Sequence, residues 1–298
     1  MTDTLTVNGV EYEVDETQTN EGTSIFKIEQ FEGLEARVGY EQDDASAFNP
    51  REWDNVGTMS VHYDRYNLGD EDIADINWDV TCPKCEGNGE SDHWIVGIHA
   101  TAERLVIGSE EECQEWLDNQ PDVESGRYYI EPLACDKCKG EGEVRLDPLS
   151  YFRQERGARV VLPLCVYEHS GITMYVGKKG DYPFDSQGWD TSFVGFIFDT
   201  PEAVKTCIGD DATDEQITAA LEAEVKTYAD YLEGDVTWWS VDDTESGFGE
   251  GCGGYVGDHK HTKQECFESL ESAVLKRLTE DSERAYWKER GVMTVDAT

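Results

Sequence analysis

The chain has 298 residues, enough for one sizeable core or for two domains. Hydrophobic residues make up 38% and aromatic residues 11%, including eight Trp, which excludes a disordered tail. Asp and Glu total 65 against 24 Lys and Arg, a formal net charge of −41, so direct nucleic-acid binding is not expected: such a surface repels phosphates.

No run approaches eighteen apolar residues, and the start MTDTLTVNGVEYEV lacks a basic region followed by an apolar one. The expectation is a soluble, unexported, cytoplasmic protein with no membrane partner. The acidic residues spread from Asp3 to Asp296, interleaved with Gly, Thr and Ser. That spread suits a halophilic surface, because molar salt screens charges over about 3 Å. A DNA-mimic inhibitor, the other reading, would concentrate them on one face. Nine cysteines include two close pairs, which in an unexported chain bind metal more often than they form disulfides.

In chain order, Leu5 to Val14 (LTVNGVEYEV) and Phe26 to Phe31 (FKIEQF) alternate apolar and polar residues as an antiparallel meander. CPKCEGNGE at Cys82 to Glu90 and CDKCKGEGE at Cys135 to Glu143 then repeat the form C-x-x-C-x-G-x-G. Two residues between cysteines let both sulfurs face one ion, and the following glycines permit positive φ so that backbone N–H groups approach the thiolates. One pair supplies two ligands and a structural zinc takes four, so Cys82, Cys85, Cys135 and Cys138 are expected to hold one Zn²⁺ and tie off the intervening segment. Four thiolates leave no position for water, and catalysis at this metal is not expected. Unligated reduced pairs and a rubredoxin-like iron site are the alternatives. The knuckles resemble the cysteine-rich zinc region of DnaJ-type co-chaperones. That family carries four such repeats and a His-Pro-Asp motif; this chain has two repeats and no such tripeptide, so the resemblance implies the metal site alone.

Between the knuckles, Trp94 to His99 and Arg104 to Ile107 read as strands, Ser109 with Glu112 as a capping box opening a helix to about Asn119, and GRYYIEPL from Gly126 as a returning strand. This is a small ββαβ insert. His93, His99 and Cys113 are candidate ligands by type but read as packing or surface.

Beyond the insert, RVVLPLCVYEH, FVGFIF and DVTWWSV are strand-like. Thr213 with Gln216 caps a helix whose Ile217, Leu221, Val225, Tyr228 and Leu232 share one face, ended by Gly234; a second helix carries Phe267, Leu270, Val274 and Leu278. The fold class is therefore α+β: a mixed, largely antiparallel sheet with two flanking helices, interrupted by the zinc-stapled ββαβ insert. The division is 1–78 for the first part of the body, 79–147 for the insert, and 148–298 for the rest of the body.

YEHSGITM holds Glu168, His169 and Ser170, a base, a shuttle and a nucleophile by type. Neighbours on a strand point to opposite faces, so an enzyme needs His169 to meet Asp190 or Asp54 from elsewhere. Turn and packing is the favoured reading. Cys252, His259, His261 and Cys266 form an irregular candidate second metal site, and GFGEGCGGYVG lacks the Lys and following helix of a phosphate cradle.

Several flanking stretches occur in one order. NPREWDNVGTM spans Asn49 to Met59, RYNLGD spans Arg65 to Asp70, and EHSGITM spans Glu168 to Met174. Trp189-Asp190 with Val194 to Ile197, then Tyr228, Tyr231, Leu232, Gly234, Asp235 and Val236, and Cys252 to Tyr255 follow. They resemble an uncharacterised family common in bacteriophage, archaeal-virus and plasmid genomes, over about residues 48–72 and 160–257. The chain departs from the family pattern at Glu168, where Asp stands, at Thr191 to Phe193, and in lacking a tryptophan after Cys252. The resemblance implies a virus- or plasmid-encoded accessory protein, in the host cytoplasm if viral, and implies no activity. The expected function is binding of a protein partner, with counter-defence as one role and a structural zinc site. A hydrolase or transferase centred on His169 and Asp190 is the alternative, and a DNA mimic the third.

Overall fold

The computed structural model describes residues 2–41 and 45–290. The chain divides into a body, within 1–73 and 159–298, and an insert, Ala74–Ala158. The body opens with β1 (Thr2–Val7), β2 (Val10–Gln18), β3 (Ser24–Lys27), β4 (Leu34–Tyr40), β5 (Gly57–Val61) and β6 (Glu71–Asp72). The insert contributes β7 (Asp79–Thr81), β8 (Glu90–Ile98), β9 (Glu103–Gly108), α1 (Glu110–Asp118), β10 (Tyr128–Ala134), β11 (Glu143–Arg145) and α2 (Pro148–Glu155). The body resumes with β12 (Val161–Glu168), β13 (Ile172–Val176), β14 (Thr191–Asp199), α3 (Pro201–Cys207), α4 (Asp214–Leu232), β15 (Val236–Asp243), β16 (Phe248–Val256) and α5 (His259–Glu289).

The class is α+β and largely antiparallel, with the body's strands divided between two sheets. One runs β1-β2-β3-β4-β15-β16; the other runs β13-β12-β14-β5-β6, with β5 and β6 its parallel pair. Each sheet has its own core and its own long helix. Strand alternation turns Leu5, Val7, Val14, Phe26, Val38 and Val241 towards Cys266, Leu270, Ala273 and Val274 of α5. Likewise Met59, Val61, Leu164, Val166, Met174 and Ile197 meet Ile217, Leu221, Val225 and Tyr228 of α4. Each fully buried side chain of this kind contributes about 1.5–3 kcal/mol.

Local signals act as expected at α4, where Thr213 and Gln216 form the reciprocal capping box, and at α1, where Ser109 and Glu112 do the same. Helix α5 is much longer than its apolar stripe. Its last turns are exposed and carry an Arg284–Glu280 pair together with the half-exposed rings of Tyr286 and Trp287, so they lie beyond the packed stripe. The glycine-rich segment is the edge strand β16, paired to β15 through a bulge at Thr237/Trp238.

In the insert, β10-β8-β9 form a three-stranded sheet with α1 between β9 and β10, the ββαβ order. A separate two-stranded stem pairs Asp79 with Arg145, and Leu146 N–H donates to Trp78 O at 3.0 Å. The Trp78 ring packs on Tyr151 and Phe152 of α2 at 5.1 and 5.9 Å.

Candidate metal centre

Both knuckles close in the same way. Glu86 and Lys139 take φ of 51° and 59°, Gly87 and Gly140 take 93° and 94°, and Gly89 and Gly142 take 77° and 79°. These left-handed residues fold the backbone over the sulfurs, and Gly142 N–H donates to Cys138 Sγ at 3.3 Å. The knuckles also bind each other reciprocally: Cys82 N–H donates to Gly142 O and Cys135 N–H to Gly89 O, both at 2.8 Å. A Cβ on Gly89 would lie 2.4 Å from Gly140 O, and one on Gly142 would lie 2.4 Å from Gly87 O. Glycine is required there by conformation and by space. Lys84 Nζ pairs with Asp136 Oδ1 at 2.5 Å, joining the outer turns.

The consequence is a four-sulfur cluster. Cys82 Sγ lies 3.9 Å from Cys135 Sγ, and Cys85 Sγ lies 3.6 Å from Cys138 Sγ. All four sulfurs lie within 4.8 Å of one another, and all four residues are buried. Sulfurs about 2.3 Å from a central ion in a tetrahedron stand about 3.8 Å apart, so the donor set fits one metal ion and fills its shell. Burial pushes the Cys82 thiol up, but the N–H groups of Lys84 and Cys85 and the neighbouring thiols outweigh it and bring it down to about 7. Burial carries Cys85 the other way, up to about 11. Thiols this close do not all ionise together without a cation among them.

Among the described residues this is the one group of His, Cys, Asp and Glu side chains gathered closely enough for an ion. The candidate second site does not assemble. Cys266 is buried with its Sγ donating to Arg37 O at 3.6 Å, whereas Cys252 is exposed on β16. His259 packs edge-on to Tyr40, and His261 Nε2 lies 3.1 Å from Glu265 Oε1. Two residues apart on a helix, the histidines point in different directions. In the insert, His93 is exposed, His99 packs on Tyr129 at 5.2 Å, and the Cys113 thiol donates to Trp94 O at 3.4 Å.

The catalytic candidates meet only in part. His169 Nδ1 lies 3.0 Å from Asp190 Oδ2 at the tight β12–β13 turn, where Ser170 takes φ of 71°. The pair is open to solvent, with side chains 68% and 44% exposed. Glu168 turns elsewhere: it accepts from the Tyr63 hydroxyl and pairs with Arg65 Nη1 at 2.9 Å, contacts that hold its carboxyl below the usual range. Asp54 is exposed on the loop before β5.

Arg51 of NPREWDNVGTM and Asp70 of RYNLGD form a latch around the buried Arg51 side chain, which composition and spacing did not reveal. The Arg51 side chain, 3% exposed, reaches Asp70 Oδ2 at 2.6 Å and Glu224 Oε2 at 3.2 Å, and donates to Gly57 O at 2.6 Å. Asp70 Oδ2 accepts from Met59 N–H at 2.7 Å, and Glu224 Oε1 accepts from Val56 N–H at 2.6 Å. Burial pushes the Glu224 carboxyl up, opposed by those donors. Glu224 lies on the polar flank of the α4 stripe, so its role leaves no mark in the hydrophobic pattern.

The loop between β13 and β14 is braced from within yet shows aromatic side chains to solvent. Buried Asp185 accepts from Trp189 N–H, Asp190 N–H and the Thr191 hydroxyl, each at 2.9 Å. Tyr182 stacks on Tyr167 at 4.4 Å. Phe184 and Trp189 on the same loop remain 83% and 85% exposed.

Comparison with protein-family models, with curated proteins and with solved structures gives no match in any of the three. Among the described residues, no helix is long and apolar enough to cross a membrane.

Proposed function

We propose that the chain is a virus- or plasmid-encoded binding protein that holds a protein partner, with one structural Zn²⁺ stapling its insert. The four-thiolate shell supports a structural ion, since it has no open position for substrate. The observation that carries the binding role is the braced β13–β14 loop. Large apolar side chains carried on a braced backbone leave less backbone entropy to be lost on docking, and aromatic residues of this kind dominate interface energies. The net charge of −41 favours a partner with a basic rim around an apolar pocket.

The test is affinity purification from the native host at high salt, comparing the wild type with the Phe184→Ala/Trp189→Ala double variant. A partner retained by the first and lost by the second supports this reading; identical recovery with both overturns it. A second reading, hydrolysis or group transfer, has one observation in its favour, the His169–Asp190 contact. It requires turnover that His169→Ala abolishes without lowering the melting temperature.

A further inference from the structure

The four free cysteines are placed for a reaction that the metal site by itself does not imply. We propose that peroxide converts the centre into two disulfides running between the knuckles, Cys82 to Cys135 and Cys85 to Cys138, so that the insert stays tied after its ion has left. The proposal rests on the metal-site reading and adds a defined oxidised state to it. First cysteine faces first and second faces second across the two knuckles, at 3.9 and 3.6 Å. A disulfide needs a separation of about 2.05 Å, so each pair closes by less than the width of an atom. The reciprocal backbone bonds from Cys82 to Gly142 and from Cys135 to Gly89 keep the knuckles in register without using sulfur.

The chemistry balances with hydrogen peroxide as the oxidant. In each pair one thiolate attacks a peroxide oxygen, the O–O bond breaks, and a sulfenic acid forms with loss of hydroxide. The facing thiolate then attacks that sulfur, forming the S–S bond and expelling a second hydroxide. Two pairs consume two peroxides, and the divalent ion, left without thiolate ligands, departs.

The sequence makes the outcome readable, because Lys84 and Lys137 lie between the cysteines of each knuckle and trypsin separates all four. Purified protein is assayed for metal, treated with hydrogen peroxide, alkylated without reduction, digested and mapped by mass spectrometry. The expected major species links Cys82 to Cys135 and Cys85 to Cys138, with one ion released per two peroxides consumed. Linkage of Cys82 to Cys85 and of Cys135 to Cys138, or sulfinic acids without disulfides, overturns it. Metal absent from the untreated protein refutes the metal reading alone, since the pairing is still scored on the reduced chain.

Discussion

Withdrawing the metal is expected to unfold the insert and leave the body folded. Coupled zinc binding contributes about 10–16 kcal/mol in small zinc modules. The entire stability of an ordinary domain is about 5–15 kcal/mol. A lower bound comes from the chain alone. Opening a staple between residues 53 apart returns about 4 kcal/mol of loop entropy to the unfolded insert. That corresponds to roughly a thousandfold in the opening equilibrium. The body has two large apolar cores of its own, whereas the insert has the four cysteines with Val144 packed against them and only a few other buried side chains, among them Ile95, Val96, Ile98 and Phe152. The assay is amide hydrogen exchange read by mass spectrometry, with chelator and reductant present. Segments covering β8 and β10 should exchange at least about a thousandfold faster, and those covering β4, β12, β14 and β15 should hold their protection. Protection of the insert within a few-fold of the metal-loaded protein would refute the reasoning, as would equal loss in both units.

Three further outcomes follow from the same geometry. Arg51→Met leaves Glu224 buried without its cation and should cost the body about 3–5 kcal/mol in urea denaturation; a loss under about 1 kcal/mol would show that the latch is not coupled to folding. Gly89→Ala places a Cβ 2.4 Å from Gly140 O and should weaken metal retention against a chelator, while Gly171→Ala, whose Cβ meets nothing within 4 Å, should match the wild type. The Arg277 guanidinium, opposed by burial, holds the Asp243 carboxyl well below its usual value of 3.8. Its folded pKa is thus below its unfolded one, so its contribution is complete above that ordinary value and is lost as pH falls through the folded value. Acid unfolding of the body should become shallower in Asp243→Asn, and an unchanged acid limb would remove Asp243 from the account.

The sequence by itself determined whatever is written in short-range patterns. The knuckle glycines are fixed by a local need for positive φ, and Cys82, Cys85, Cys135 and Cys138 could be paired because two incomplete ligand sets complete each other. The capping boxes at Ser109 and Thr213 and the apolar stripe of α4 are likewise properties of neighbouring residues, and they yielded α+β and ββαβ. Tertiary structure alone decided the rest, because it concerns residues distant in the chain with no periodic signature. Division of the body into two sheets depends on β15 joining β4 while β14 joins β5. The meeting of Arg51, Asp70 and Glu224, the pairing of His169 with Asp190, and the scattering of Cys252, His259, His261 and Cys266 are decided the same way. A motif shows that residues share a chemistry, whereas only the packed chain determines which of them share a volume.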